Sequence, residues 1–165
     1  VGPYIHFTSS GDDFATQLAS FISPAMFRRL IKPYMTERIQ LTRKYTRAAF
    51  LHHSCGNVFH LIPDLIDCGV EILNPIQPCA PEMEAESLKS AYGERIVFHG
   101  GIDTQEVLPR ATPNEVEEST HDTIAVLAKD GGYVFAAAHE IQDDVPPENV
   151  IAAFRAAREF VPARS

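Results

Sequence analysis

The sequence predicts an α/β fold, part of a (β/α)8 TIM barrel with about five βα units. Short apolar runs rich in β-branched and aromatic residues recur at Tyr4 to Phe7, Ala48 to Leu51, Val70 to Leu73, Arg95 to Phe98 and Tyr133 to Ala137. Between them lie longer segments with helical spacing, marked by Phe27, Leu30, Ile31 and Tyr34 in the first and by Val116, Thr120, Ile124 and Leu127 in the fourth. A cluster of polar residues follows every strand-like run. Alternation of this kind returns the chain to the same end of the sheet each time, so the strands run parallel.

Each boundary has a chemical cause. Ser23-Pro24 supplies an N-cap followed by a proline at the first helical position, where the missing N–H costs nothing. Thr112-Pro113-Asn114-Glu115 is a capping box. Gly69 and Gly93 stand where left-handed C-caps are expected, and Gly131-Gly132 closes the fourth helix before the last strand. Two further helices are expected from Val58 and from Met83. The rival fold is an open doubly wound sheet, but no strand here is followed by the Gly-x-Gly-x-x-Gly turn that holds a dinucleotide. Five units cannot close an eight-stranded barrel. Because the sequence opens on Val1 and runs almost directly into a strand, it is read as a fragment whose upstream portion supplies about three more strands.

Bulk properties narrow the function. With 165 residues, 45% of them apolar, the chain can build one domain with a real core. A formal net charge of -8 and scattered Lys and Arg argue against a phosphate-tracking surface, so nucleic acid is not an expected partner. No apolar run approaches the roughly 20 residues of a membrane span, and no secretory leader is recognisable. Three cysteines, Cys55, Cys68 and Cys79, do not form a disulfide framework and fit a reducing, cytoplasmic setting. The apolar faces of an incomplete barrel favour association, with a homodimer as the simplest form.

In a (β/α)8 barrel, reactive groups come from the C-terminal strand ends and the loops after them. Those positions hold Ser10-Gly11-Asp12-Asp13, His52-His53-Ser54-Cys55-Gly56-Asn57, Asn74-Pro75-Ile76-Gln77, His99-Gly100-Gly101-Ile102-Asp103 and His139-Glu140. The opposite ends, around Arg47, Asp67 and Glu94, carry solvating charges and turn residues. His53-x-Cys55, with His139 after the last strand, is the expected metal set. Imidazole and thiolate both suit zinc, residues two apart leave a strand on one face, and three ligands with an open position make a catalytic zinc site. Asp13, Gln77 and Asp103 are the expected catalytic residues, orienting substrate or relaying a proton. The bland alternatives are specific. A cysteine at a strand end is commonly a small buried hydrophobe, and Cys68 is read that way. His6, His60 and His121 are read as surface or hydrogen-bonded residues. Cys79 ranks below Cys55 as a site residue, and Asp12 and Asp13 taken alone would be loop solvation.

Several motifs in order carry a resemblance. Leu51-His-His-Ser-Cys-Gly-Asn57, Leu61-Ile-Pro-Asp-Leu-Ile66, Gly69-Val-Glu-Ile-Leu-Asn-Pro-Ile-Gln-Pro78, Leu88-Lys-x-x-Tyr-Gly93 and Gly100-Gly-Ile-Asp103 are similar to the C-terminal half of uroporphyrinogen decarboxylase-like proteins. Ser23-Pro24, Thr112-Pro113-x-Glu115, Gly131-Gly-Tyr133 and Pro146-Pro-Glu-Asn-Val150 continue it over nearly the whole chain. The resemblance implies the C-terminal part of one TIM-barrel domain over residues 1–165. It also implies one of two chemistries. In the corrinoid-dependent methyltransferases a His-x-Cys pair and a later Cys bind zinc; His53 and Cys55 match the first two, and His139 stands at the third. In the decarboxylase that last position is a histidine thought to contact the tetrapyrrole, and no metal is used.

A decarboxylase whose substrate pyrrole is its own electron sink has no need of a His-x-Cys pair, whereas zinc chemistry does. The preferred expectation is therefore a zinc-dependent methyltransferase that moves a methyl group between a small substrate and a corrinoid carried on a partner protein. The alternatives are a metal-free decarboxylase of a tetrapyrrole or smaller carboxylate, and a non-catalytic barrel that binds a corrinoid or tetrapyrrole. The resemblance places the decarboxylase's catalytic aspartate and its arginine-rich segment upstream of Val1.

Overall fold

The computed structural model describes residues 2–161. Five strands, β1 (Phe7–Gly11), β2 (Ala49–His53), β3 (Ile72–Asn74), β4 (Val97–Ile102) and β5 (Tyr133–Ala137), form one parallel sheet in sequence order. β1 and β5 are not paired with each other, so the sheet is an unclosed arc. Helices α1 (Pro24–Leu30), α2 (Lys32–Arg43), α3 (Ile62–Cys68), α4 (Ala85–Tyr92), α5 (Val107–Arg110), α6 (Pro113–Leu127) and α7 (Pro147–Glu159) make the crossovers and follow the last strand. No described helix is long and apolar enough to cross a membrane.

Where a strand has an apolar helix-facing side, sequence and structure agree within two residues at its start, as for β2 to β5. β1 differs. The expected Tyr4 to Phe7 run gives way to Phe7–Gly11, because Tyr4 belongs to a 3-10 turn and is 87% exposed. β1 is an edge strand made of Thr8, Ser9 and Ser10, so it carries no hydrophobic alternation to read. β4 runs four residues further than expected and contains His99, Gly100 and Gly101, which sequence reasoning placed in a loop. The positive φ of both glycines hid this extension, since only glycine sits there without strain.

The first crossover was expected as one helix but is two. Pro33 has no N–H and its ring crowds the carbonyl of Arg29, so the chain breaks at Ile31 and α2 restarts with the proline near its N-terminus. The break changes which side is buried. Phe27, Met35 and Ile39 enter the core, while Leu30 and Tyr34, expected on the apolar face, are exposed. Ser23 caps α1 by accepting from the Met26 N–H, and the Thr112/Glu115 box caps α6 reciprocally. Gly69 adopts the left-handed C-cap at φ 101°; Gly93 does not, because at φ -59° it continues a right-handed turn that is tied back to Tyr92 by Arg95 and Ile96. Val116, Thr120, Ile124 and Leu127 are all buried along α6.

The main core lies between the sheet and the helix layer, where Phe50, Leu73 and Phe98 meet Phe27, Met35, Leu61 and Leu65. A second cluster, including Ile102, Leu108, Val116 and Ala153, seats α5 to α7 on the far strands. The pleat sends consecutive residues of β2 to opposite sides. His52 goes to the helix side, where it is fully buried, stacks on Phe14 and shares a hydrogen bond of 3.0 Å between its Nδ1 and Ser10 Oγ. His53 goes to the concave side and the rim.

Burial, reinforced by the nearby Arg38 charge, lowers His52 from 6.5 to about 4. Between these values the unfolded chain holds a proton that the folded chain rejects, so stability rises with pH across that window and levels off above it. Urea unfolding between about pH 4 and pH 7 should show this acid limb, worth on the order of 3 kcal/mol, and His52→Gln should remove most of its slope.

Candidate functional site

The end of β2 is tied to both neighbouring strand loops by four consecutive backbone donors. Ser54 N–H reaches the Asn74 carbonyl (2.7 Å), Cys55 N–H the Asp13 carboxylate (2.8 Å), Gly56 N–H the Gln77 side-chain oxygen (2.6 Å) and Asn57 N–H the Thr16 carbonyl (2.8 Å). Ser54 Oγ also accepts from the Phe14 N–H at 3.0 Å. The Asn57 amide donates to Pro81 O at 2.9 Å. Groups 20 to 42 residues away in the chain are thereby fixed against a four-residue segment. Gly56, at φ 83°, makes this possible: a Cβ there would collide with the carbonyls of Thr16 and Ala15, the latter 2.8 Å away.

On this frame, His53 Nε2 lies 3.3 Å from Cys55 Sγ and 3.8 Å from Asp13 Oδ1. Ligand atoms of Asp13, His53 and Cys55 all fall within 4.8 Å of one another, the one such cluster among the described residues. The donor chemistry fits a borderline cation such as zinc: one imidazole, one thiol and one carboxylate. Burial raises the Cys55 thiol above its ordinary value, and the Asp13 charge adds to this. Without a cation the pair thus opposes thiolate formation; a divalent cation would reverse that balance.

His139 lies two residues past the end of β5, is exposed, and lines the same cleft of about 570 Å³ as Asp13, Cys55, Gln77 and Glu140. It is not a member of the 4.8 Å cluster, in which Asp13 stands instead. Gln77 borders the cleft with its oxygen engaged by Gly56. Asp103 sits in an adjoining groove shared with Gln77. Its Oδ1 accepts from the N–H groups of Gln105 and Glu106, and its Oδ2 accepts from Cys79 Sγ at 3.0 Å. Burial and then that carboxylate push Cys79 up to about 12, so it is held as a thiol. A larger hollow of about 720 Å³ lies at the opposite end, beside Arg43, Lys44 and Arg47, but the metal-type cluster is at the C-terminal rim.

Sequence reasoning named Asn74 and His99 as strand-end residues without giving them roles. Both are on the concave face beside His53: Asn74 Oδ1 is 2.7 Å from His53 Nδ1, and Asn74 Nδ2 is 2.8 Å from His99 Nδ1. No sequence signal links them, because what sets His53 opposite Asn74 is the register of β2 against β3 in the folded chain. The loop at Ala15 to Gln17, which also borders the cleft, had no distinguishing sequence feature.

A parallel α/β arc with its reactive side chains gathered at the C-terminal strand ends defines an enzyme-type partial TIM barrel. The chain belongs to the uroporphyrinogen decarboxylase (URO-D) family, whose model matches residues 12–160. It is 34% identical over 67 residues to a uroporphyrinogen decarboxylase of Psychromonas ingrahamii, a stretch covering 41% of this chain and 18% of that protein. Its fold superposes on a methyltransferase from Methanosarcina mazei with a TM-score of 0.71 and 23% identity, over 94% of this chain and 42% of the other. The chain therefore spans less than half the length of either relative.

Gly56→Ala tests the rim frame. Both the positive φ and the backbone collision oppose it, so unfolding in urea should show a loss of about 2 kcal/mol or more. Gly131→Ala, also at positive φ but in open space, should cost less.

Proposed function

We propose that this chain is part of a zinc-dependent methyltransferase that moves a methyl group between a small substrate and a corrinoid carried on a partner protein. The observation that carries the reading is the convergence of Asp13, His53 and Cys55, of which Asp13 and Cys55 line the rim cleft. His53 and Cys55 are the first two ligands. Asp13 takes the third place in preference to His139, because its carboxylate is already held within the cluster by the Cys55 N–H. One neutral imidazole and two anions then balance the charge of a divalent cation. A bound zinc ion supplies Lewis acidity, which lowers the proton affinity of a substrate thiol or hydroxyl.

The remaining residues shape the approach. His139 and Glu140 stand at the cleft as polar contacts for a substrate, and Gln77 holds the Cys55–Gly56 turn in place through its oxygen. Asp103 orders the loop after β4 by accepting from two backbone N–H groups, and its role is positioning in this reading.

A second reading, metal-free decarboxylation of a tetrapyrrole or other carboxylate, is favoured by the 34% identity to a uroporphyrinogen decarboxylase. Here His139 and Asp13 would be polar contacts to substrate.

Elemental analysis of the freshly purified full-length protein separates the two. Stoichiometric zinc, largely lost in Cys55→Ser and in Asp13→Asn but kept in His139→Ala, is the expected result. Loss in His139→Ala with retention in Asp13→Asn would return the third ligand to His139. A zinc-free wild-type protein that decarboxylates a tetrapyrrole would establish the second reading.

A further inference from the structure

We infer that Asn74 is a positioning residue whose carboxamide, anchored on His99, selects the tautomer of His53 that carries its proton on Nδ1 and leaves Nε2 bare toward Asp13 and Cys55. The inference goes beyond the proposed zinc site and borrows from it only the purpose of the bare nitrogen.

The argument is a count of donors and acceptors along three side chains. Asn74 Nδ2 has only protons to give, so at 2.8 Å it obliges His99 Nδ1 to accept. Burial lowers the proton affinity of His99 and favours the neutral imidazole able to do so. Asn74 Oδ1 can only accept, so at 2.7 Å it obliges His53 Nδ1 to carry the proton. In the one-proton ring that can act as a ligand, this leaves the lone pair on Nε2. That atom faces the Cys55 thiol at 3.3 Å, a donor, and lies 3.8 Å from the Asp13 carboxylate, beyond hydrogen-bond reach.

Turning the amide over would reverse every member of the chain. His53 would then carry its proton on Nε2, pointing at sulfur, a weak acceptor, with the carboxylate too far away to take it. The observed partners therefore favour the orientation in which Nε2 is bare. The β2–β3 register supplies the geometry by setting His53 opposite Asn74, and the Ser54 N–H bond to the Asn74 carbonyl holds the two strand ends together. Anchoring of an imidazole through its remote N–H is how proteins orient and strengthen histidine as a ligand.

Two measurements on the full-length protein test this. In the metal-free state, nitrogen NMR of the histidine rings, with His53 assigned by its loss in His53→Gln, should show His53 protonated on Nδ1. Asn74→Leu should shift it toward the Nε2–H form that free neutral imidazole side chains prefer. In competition with a chelator, Asn74→Leu should bind zinc roughly 10- to 100-fold more weakly than wild type. Asn74→Asp, whose carboxylate still accepts from Nδ1–H, should stay within a few-fold of wild type, which separates loss of the acceptor from damage to the fold. Nε2–H on wild-type His53, or unweakened zinc binding by a folded Asn74→Leu, would overturn the inference. A wild-type protein with Nδ1–H on His53 and no affinity for zinc would sink the metal reading while sustaining the amide relay.

Discussion

Four backbone N–H groups in a row, from Ser54 to Asn57, are the constraint on which the rim depends. A strand that simply ended at His53 would leave these donors to water; here each meets a group from an adjacent strand loop, two from the β1 side and two from the β3 side. Buried polar backbone must be paired, so satisfying this segment and placing the site side chains are one requirement. The absence of a Cβ at Gly56 lets the β1 loop approach closely enough to do it.

That arrangement also sets the electrostatics. The Asp13 carboxylate is brought to the Cys55 N–H, and the same contact places its charge beside the thiol, whose ionisation it opposes along with burial. Such a pair is poorly suited to an unassisted thiolate nucleophile and better suited to sharing a cation. Cys79 shows the contrast: its sulfur also has a carboxylate partner, Asp103 at 3.0 Å, but no imidazole joins that pair in a metal-type cluster among the described residues.

The pleat then divides the labour of neighbouring histidines. His52 and His53 differ by one residue and by nearly everything else. The first is sealed under Phe14 and kept neutral; the second lies beside Cys55 at the strand end and takes its orientation from Asn74. A one-residue change of register would exchange them, so the burial of Phe50 and His52 on the helix side is also what presents His53 to the rim.

The sequence by itself determined the alternation of strands and helices, the caps at Ser23 and Thr112, the apolar face of α6 and the pairing of His53 with Cys55. All of these follow from local rules of spacing and hydrogen bonding within a few residues. β1 was displaced because an edge strand of small polar residues has no alternation to display, and the first helix was misread because one proline reset its buried face. Tertiary structure decided that Asp13 rather than His139 joins the cluster, that Gln77 serves a backbone donor, and that Asn74 links two imidazoles. Those contacts cross between strands, where register and the fate of each backbone N–H select the partner, and neither quantity is written in the spacing of residues along the chain.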